Sequence, residues 1–205
     1  MQKINYQKKL DEIILNLESK VPKLLLHACC APCSSYVMEY LSNFFFITVL
    51  FYNPNIYPRE EYTKRADELK RLIESQPHRH PVSYAICDFD SEEFYSAIHG
   101  LEACPEGGER CKKCYRLRLT KAAQYAKEQG FDYFASTLSI SPLKNSQILN
   151  SIGEEISKIY GVSHLPNDFK KKEGYKRSLE LSREYNLYRQ NYCGCIYSVN
   201  RQILD

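Results

Sequence analysis

The chain has 205 residues, 43% of them hydrophobic and 26% charged, a balance ordinary for a globular protein and enough for one substantial core. No apolar run approaches the roughly 20 residues that span a bilayer, which excludes a membrane-spanning helix; the longest, Phe44–Tyr52, is strand-sized. The net charge of +3 points to no partner by itself.

Taken in chain order, Asn5–Leu17 has helical periodicity, and Lys23–Ala28 (KLLLHA) reads as the first buried strand. A helix is expected over Ser34–Leu41, a strand over Phe46–Tyr52 and a helix over Arg59–Ser75. Val82–Cys87 reads as a strand, followed by helices at Ser91–His99 and Lys112–Gln129, the latter closed by Gly130. Tyr133–Ile140 is a fourth strand interrupted by Ser and Thr. The next helix is predicted to start at Ser141-Pro142, with Ser as N-cap and Pro in the first turn, and to end at Gly161. A polar, irregular stretch then leads to a helix at Ser178–Tyr188.

Strand–helix alternation of this kind predicts an α/β fold, a parallel sheet with helices on both faces. No repeat or linker interrupts it, so a single catalytic domain is expected. Residues 1–20 form its N-terminal helix, 21–161 its α/β core, and 162–205 a helical and irregular C-terminal extension. Ligands of open α/β sheets bind at the carboxyl ends of the strands, where this chain carries Cys29-Cys30, Asn53-Pro54-Asn55, Asp88 and Ser141.

Nine cysteines occur, and seven fall into three tight sets: Cys29-Cys30-x-x-Cys33, Cys111-x-x-Cys114 and Cys193-x-Cys195. The first residues carry no secretion signal, so a reducing cytoplasm is expected, where clustered thiols serve as metal ligands or redox groups. Cys-x-x-Cys suits zinc, an iron–sulfur cluster or a dithiol equally. A vicinal pair is unusual in a structural zinc site and suggests a cluster fed from distant segments, although zinc with spectator thiols fits the spacing as well. A disulfide across Gly194 would close a small, strained and easily reduced ring, suiting two-electron cycling or a second metal. Cys87 reads as a core residue, His27 as a buried and satisfied histidine, and Cys104 as having no partner at a suggestive spacing.

Seven Lys/Arg and no Asp/Glu lie between Arg110 and Lys127, and a second basic stretch holds Lys170, Lys171, Lys172, Lys176 and Arg177. Both suit a polyanion such as RNA, with Arg116 and Arg118 placed to meet phosphate; solvated helix faces would look the same. Seventeen tyrosines occur without tryptophan, and Tyr57, Tyr62, Tyr188, Tyr192 and Tyr197 are candidates to stack on a base. Gly107-Gly108 lacks the context of a phosphate loop.

Five segments, Leu24–Cys33 (LLLHACCAPC), Tyr52–Tyr62 (YNPNIYPREEY), Pro105–Cys114 (PEGGERCKKC), Ser136–Asn145 (STLSISPLKN) and Tyr188–Ser198 (YRQNYCGCIYS), together resemble the cobalamin-independent epoxyqueuosine reductases, in order and over nearly the whole chain. The resemblance implies a Rossmann-like domain similar to the adenine-nucleotide α-hydrolases. It implies two-electron removal of the epoxide oxygen from epoxyqueuosine in the tRNA anticodon stem-loop, the last step of queuosine synthesis, with an external electron donor. It further implies a [4Fe–4S] cluster on Cys29, Cys30, Cys111 and Cys114, and Cys193 and Cys195 as the redox-active pair. An additional mononuclear iron is implied for some relatives. Cys33 stands where certain relatives carry aspartate, so Cys33, Cys193 and Cys195 are the candidates for such a metal here. Asp168, Tyr192 or water is the expected proton donor. Lys170 stands where arginine is common, which keeps charge but loses bidentate phosphate contact. Two other readings are an iron–sulfur tRNA-thiolation enzyme of the same fold, which would need a phosphate loop where His27-Ala28-Cys29-Cys30 stands, and a zinc-stabilised RNA-binding module.

Overall fold

The computed structural model describes residues 3–198. The ends of the expected N-terminal and C-terminal segments, residues 1–2 and 199–205, lie outside the described residues. Helix α1 (Tyr6–Leu15) precedes strand β1 (Lys23–Ala28), followed by α2 (Ala31–Leu41), β2 (Phe46–Phe51), α3 (Arg59–Ser75) and β3 (Val82–Ile86). Then come α4 (Ser91–Ile98), α5 (Glu109–Glu128), β4 (Tyr133–Ser136), a 3-10 turn (Thr137–Ile140), α6 (Ser146–Tyr160), β5 (Ser163–His164) and α7 (Gly174–Glu184).

All strand pairings are parallel, in the order β3-β2-β1-β4-β5. Strand β1 is central, and Leu24, Leu25 and Leu26 are fully buried. Burying each such side chain contributes about 1.5–3 kcal/mol, which fixes a three-residue apolar run at the middle of the sheet. Helices α2 and α3 cover one face, with Val37, Met38, Leu41, Leu69 and Leu72 packed on the Leu24–Leu26 side. Helices α5 and α6 cover the other, with Leu119, Ala122, Ala126, Leu149 and Ile152 against Leu25 and Phe134. The order reverses at β1, which has β2 on one side and β4 on the other. The crevice between the carboxyl ends of β1 and β4 is therefore the switch point at which such sheets bind ligands.

The structure corrects the connection after β4. The strand stops at Ser136, whose hydroxyl accepts the Leu138 N–H at 3.2 Å and turns the chain into the 3-10 segment. Helix α6 starts at Ser146, four residues later than expected. Asn145 caps it, its side chain accepting from Gln147 N at 2.9 Å and Ile148 N at 3.4 Å. Ser141-Pro142 instead opens a turn, closed by Lys144 N donating to Ser141 O at 3.1 Å, as Pro at the second turn position favours. Strand β5, two residues long, carries no periodicity that would reveal it.

Candidate metal and redox centre

The first cysteine set is made by the turn from β1 into α2. Cys30 takes an extended conformation as the N-cap residue, Pro32 occupies the first turn, and Ser34 Oγ donates to Cys30 O at 2.8 Å. This turn brings the Cys29, Cys30 and Cys33 sulfurs within 4.8 Å of one another, with Cys29 and Cys30 at 3.7 Å. Contacts from Cys30 and then Cys33 hold Cys29 well below the ordinary thiol range, and the Cys29 contact pushes Cys30 up to about 12.

The second set opens α5. Cys111 and Cys114 are three residues apart on one helical face, Gly107 N–H donates to Cys111 Sγ at 3.2 Å, and burial raises Cys114 to about 11. Both sets thus begin helices, where the positive end of the helix dipole favours thiolate.

The third set lies after α7. Gly194 has φ of +107°, a conformation suited to glycine, and its carbonyl accepts Tyr57 N–H at 2.8 Å. Cys195 packs beside Cys114 with Phe94 and Ile98. Cys193 enters a cavity of about 270 Å³ lined also by Cys29, Cys33, Arg65, Arg118 and Lys144. The three sets, separated by up to 166 positions of sequence from Cys29 to Cys195, therefore converge at the switch point.

Beneath them is a polar network that ties the strand ends together. His27, fully buried in β1, meets Ser136 Oγ at 2.8 Å through Nδ1 and Tyr52 O at 3.0 Å through Nε2. Burial, and then Arg118, push its pKa down to about 3, so the ring is neutral. Asn53 donates to Ala28 O at 2.9 Å and accepts from Arg118 at 2.6 Å. The expectation of a satisfied buried histidine matches this geometry.

Several other expected residues stand differently. Arg118 faces inward at 1% exposure and is not on a solvent face where phosphate would meet it. Arg116 pairs with Glu155 in a groove between α5 and α6, away from the cavity. Asp168 accepts from Ser146 Oγ at 3.0 Å and lies 3.1 Å from Lys170 Nζ, and it does not line the cavity. Lys170 donates to Ser139 O at 2.6 Å and Lys144 O at 3.2 Å, so it braces the loop before α6. Lys172 is paired with Asp11 and Arg177 with Glu39, while Lys171 is exposed. Tyr62 is a core residue between Phe51 and Phe89, Tyr188 bonds Glu61, and Tyr197 lies under Arg110. Tyr192 lines the cavity, and Tyr57 is exposed nearby, its carbonyl accepting from Tyr192 Oη at 2.8 Å.

Three residues escaped sequence reasoning. Lys144 Nζ lies 3.5 Å from Cys193 Sγ; burial opposes its charge, but Cys193, Tyr115 and Cys29 outweigh burial and raise its pKa. Arg65 holds the Cys193 carbonyl at 3.3 Å. Arg189 lies at the cavity and donates to Ser182 Oγ at 3.0 Å. Lys144 stands inside the Ser136–Asn145 segment, whose resemblance to the family was the available signal.

A parallel α/β domain with a thiol-lined cavity at its switch point defines a cysteine-rich redox or metal protein. Residues 24–201 match the family model described as epoxyqueuosine reductase QueH. The chain is 46% identical over 208 residues to the epoxyqueuosine reductase QueH of Streptococcus pyogenes serotype M1, covering 100% of this chain and 82% of that one. It is 42% identical over 210 residues to that of Staphylococcus epidermidis, covering 100% of this chain and 88% of the relative. The chain belongs to the epoxyqueuosine reductase QueH family. Its fold is similar to that of the U34-tRNA thiolase NcsA from Methanococcus maripaludis, solved with its [4Fe-4S] cluster, with a TM-score of 0.52 and 16% identity over 94% of this chain and 67% of that one. No helix among the described residues is long and apolar enough to cross a membrane.

The residues present fit an iron–sulfur group. The first set gathers three sulfurs, the second set faces the same region, and the donors are soft thiols.

Proposed function

We infer that this chain reduces epoxyqueuosine to queuosine in tRNA, removing the epoxide oxygen with two electrons. The observation that carries this reading is the gathering of three cysteine sets at the switch point, the first and third lining one cavity and the second packed against both, in a chain of this family.

Cys29, Cys30, Cys111 and Cys114 are assigned as the four ligands of a [4Fe–4S] cluster. Cys33, with Cys193 and Cys195, remains the candidate set for an additional mononuclear iron. When bound, such a centre supplies single electrons and a Lewis acid for the epoxide oxygen. The chain's own residues do the rest. A cavity of about 270 Å³ admits one extruded base and excludes a duplex. Tyr192 offers a ring to that base, and Arg189 a cation to its backbone. The balance is simple: epoxide, two electrons and two protons give alkene and water. The dithiol of Cys193 and Cys195 holds two electrons and two protons and would end as a disulfide, which an external electron donor then reduces. Lys144, 3.5 Å from Cys193 Sγ, keeps a positive charge beside that exchange. A cytoplasmic location accords with a tRNA substrate and with thiols kept reduced.

The test is iron, zinc and sulfide analysis with absorption and EPR spectra on protein purified without oxygen, coupled to turnover on tRNA bearing epoxyqueuosine. About four iron and four sulfide per chain, absorption near ~400 nm that bleaches on reduction, and queuosine formation are expected. Stoichiometric zinc without sulfide and no turnover would leave an RNA-binding module.

A further inference from the structure

Arg118 is a buried cation without an anion. It lies on α5 one turn after Cys114, is 1% exposed, and contacts Asn53 Oδ1 at 2.6 Å, His27 Nε2 at 3.3 Å and Cys114 Sγ at 3.9 Å. An amide, an imidazole and a thiol are its polar partners. None of the ion pairs among the described residues includes it. The other fully buried guanidinium at the cavity, Arg65, has its carboxylate, with Glu61 at 2.7 Å. Arg110, also buried, is seated on the carbonyls of Glu102 and Cys104 under the Tyr197 ring.

An unpaired buried charge costs several kcal/mol, and folds keep one only where a countercharge arrives. The anions within reach of Arg118 are sulfurs. Cys114, Cys29 and Cys193 are the groups whose charge favours its cationic form, against the opposing effect of burial. They belong to all three cysteine sets. A cluster core with two positive charges held by four thiolates carries two net negative charges, and one-electron reduction adds a third.

We infer that Arg118 is the fixed countercharge of the thiolate centre and raises its reduction potential. The inference rests on the cluster reading above. A cation a few ångströms from a low-dielectric site stabilises the more negative, reduced form over the oxidised one. The guanidinium does not titrate, so its contribution is constant with pH. Its fork is aimed by Asn53 and His27, which are themselves tied to the ends of β1, β2 and β4. Arg118 is thus a positioning residue, acting on the electron through the thiolates.

The experiment is an EPR-monitored potentiometric titration with dithionite of three variants purified without oxygen, alongside iron and sulfide analysis. Arg118→Lys keeps the charge, Arg118→Gln removes it, and Asn53→Asp leaves the guanidinium in place while giving it a carboxylate. Expected are a potential near wild type for Arg118→Lys and clear shifts to lower potential for the other two. Asn53→Asp gives up the bond to Ala28 O, but the new ion pair holds the site, so it decides the matter if Arg118→Gln does not retain its cluster. An unshifted potential in Asn53→Asp or in loaded Arg118→Gln overturns the inference. So does an equal shift in Arg118→Lys, which would make shape and not charge the cause. Wild-type protein without iron and sulfide would instead defeat the cluster reading itself.

Discussion

Arg65 and Cys193, 128 positions apart, meet at 3.3 Å, the guanidinium of α3 donating to the carbonyl of the Cys-Gly-Cys loop. The same guanidinium reaches Tyr192 O at 3.5 Å and is oriented by Glu61, which also accepts from Tyr188 Oη at 3.0 Å. One buried side chain thereby fastens the last cysteine set to α3, at the cavity that Cys29 and Cys33 also line.

That fastening makes Gly194 a sensitive position. A Cβ there would stand 3.0 Å from both Arg65 Nη1 and Ile56 Cγ1, at a φ of +107°. Gly194→Ala is expected to destabilise the fold by about 1–3 kcal/mol and to lower turnover while leaving the iron content intact. Urea unfolding and metal analysis check this; an unchanged unfolding midpoint would mean that the loop yields without strain.

Substitution of the dithiol separates its role from that of the cluster. Cys193→Ser and Cys195→Ser should each lower multiple-turnover reduction to below about a tenth of wild type. The cluster's iron and sulfide, about four of each, should remain in both, and any iron lost beyond four would belong to the additional site. Full turnover in both variants would remove the pair from the redox cycle.

Binding of tRNA should depend on the cations that line the cavity. Arg189→Ala is predicted to weaken binding of the anticodon stem-loop and reduce the slope of log affinity against log salt by roughly 0.7–0.9. Arg116→Ala, which removes a cation already matched by Glu155, should change the slope far less. Filter binding at several salt concentrations measures both, and the opposite ranking would place the RNA over the α5–α6 groove.

Acid should destabilise the protein partly through His164. Burial pushes its pKa down to about 4 from the ordinary 6.5, so the folded chain keeps the ring neutral while the unfolded chain takes up a proton. The unfolded state binds more protons in that window, so stability is full above pH 6.5 and falls as pH drops toward 4. The loss over that window is about 1 kcal/mol per pH unit. Urea unfolding at pH 7 and pH 5 should differ less in His164→Phe than in wild type; equal differences would assign the acid sensitivity to other groups.

The readable parts of this chain were those where one physical demand dominates. Leu24–Leu26 and Val49–Phe51 are apolar because both faces of the central strands are covered, so their strands could be recognised without any partner in view. The cysteine spacings were equally plain. Arg118 was not, because a charged residue on a helix normally faces water, and only the packing of α5 on β1 turns it inward. Lys144 was hidden by a plausible helix start at Ser141-Pro142; Asn145 is the side chain that caps α6, which leaves Lys144 in a turn facing Cys193. The basic stretch at 170–177 looked like an RNA contact, yet Lys170, Lys172 and Arg177 have carbonyl or carboxylate partners that sequence separation conceals.

The unequal burial of the third cysteine set has a kinetic consequence. Cys193 is partly open to the cavity, whereas Cys195 is buried against Phe94, Ile98 and Cys114. Were the two sulfurs joined in the proposed cycle, an incoming thiol could approach residue 193 and not residue 195. The mixed disulfide would therefore form on Cys193, with Cys195 as the leaving group. Regeneration by a thiol would then have a fixed direction, set by which of the two sulfurs the fold leaves within reach.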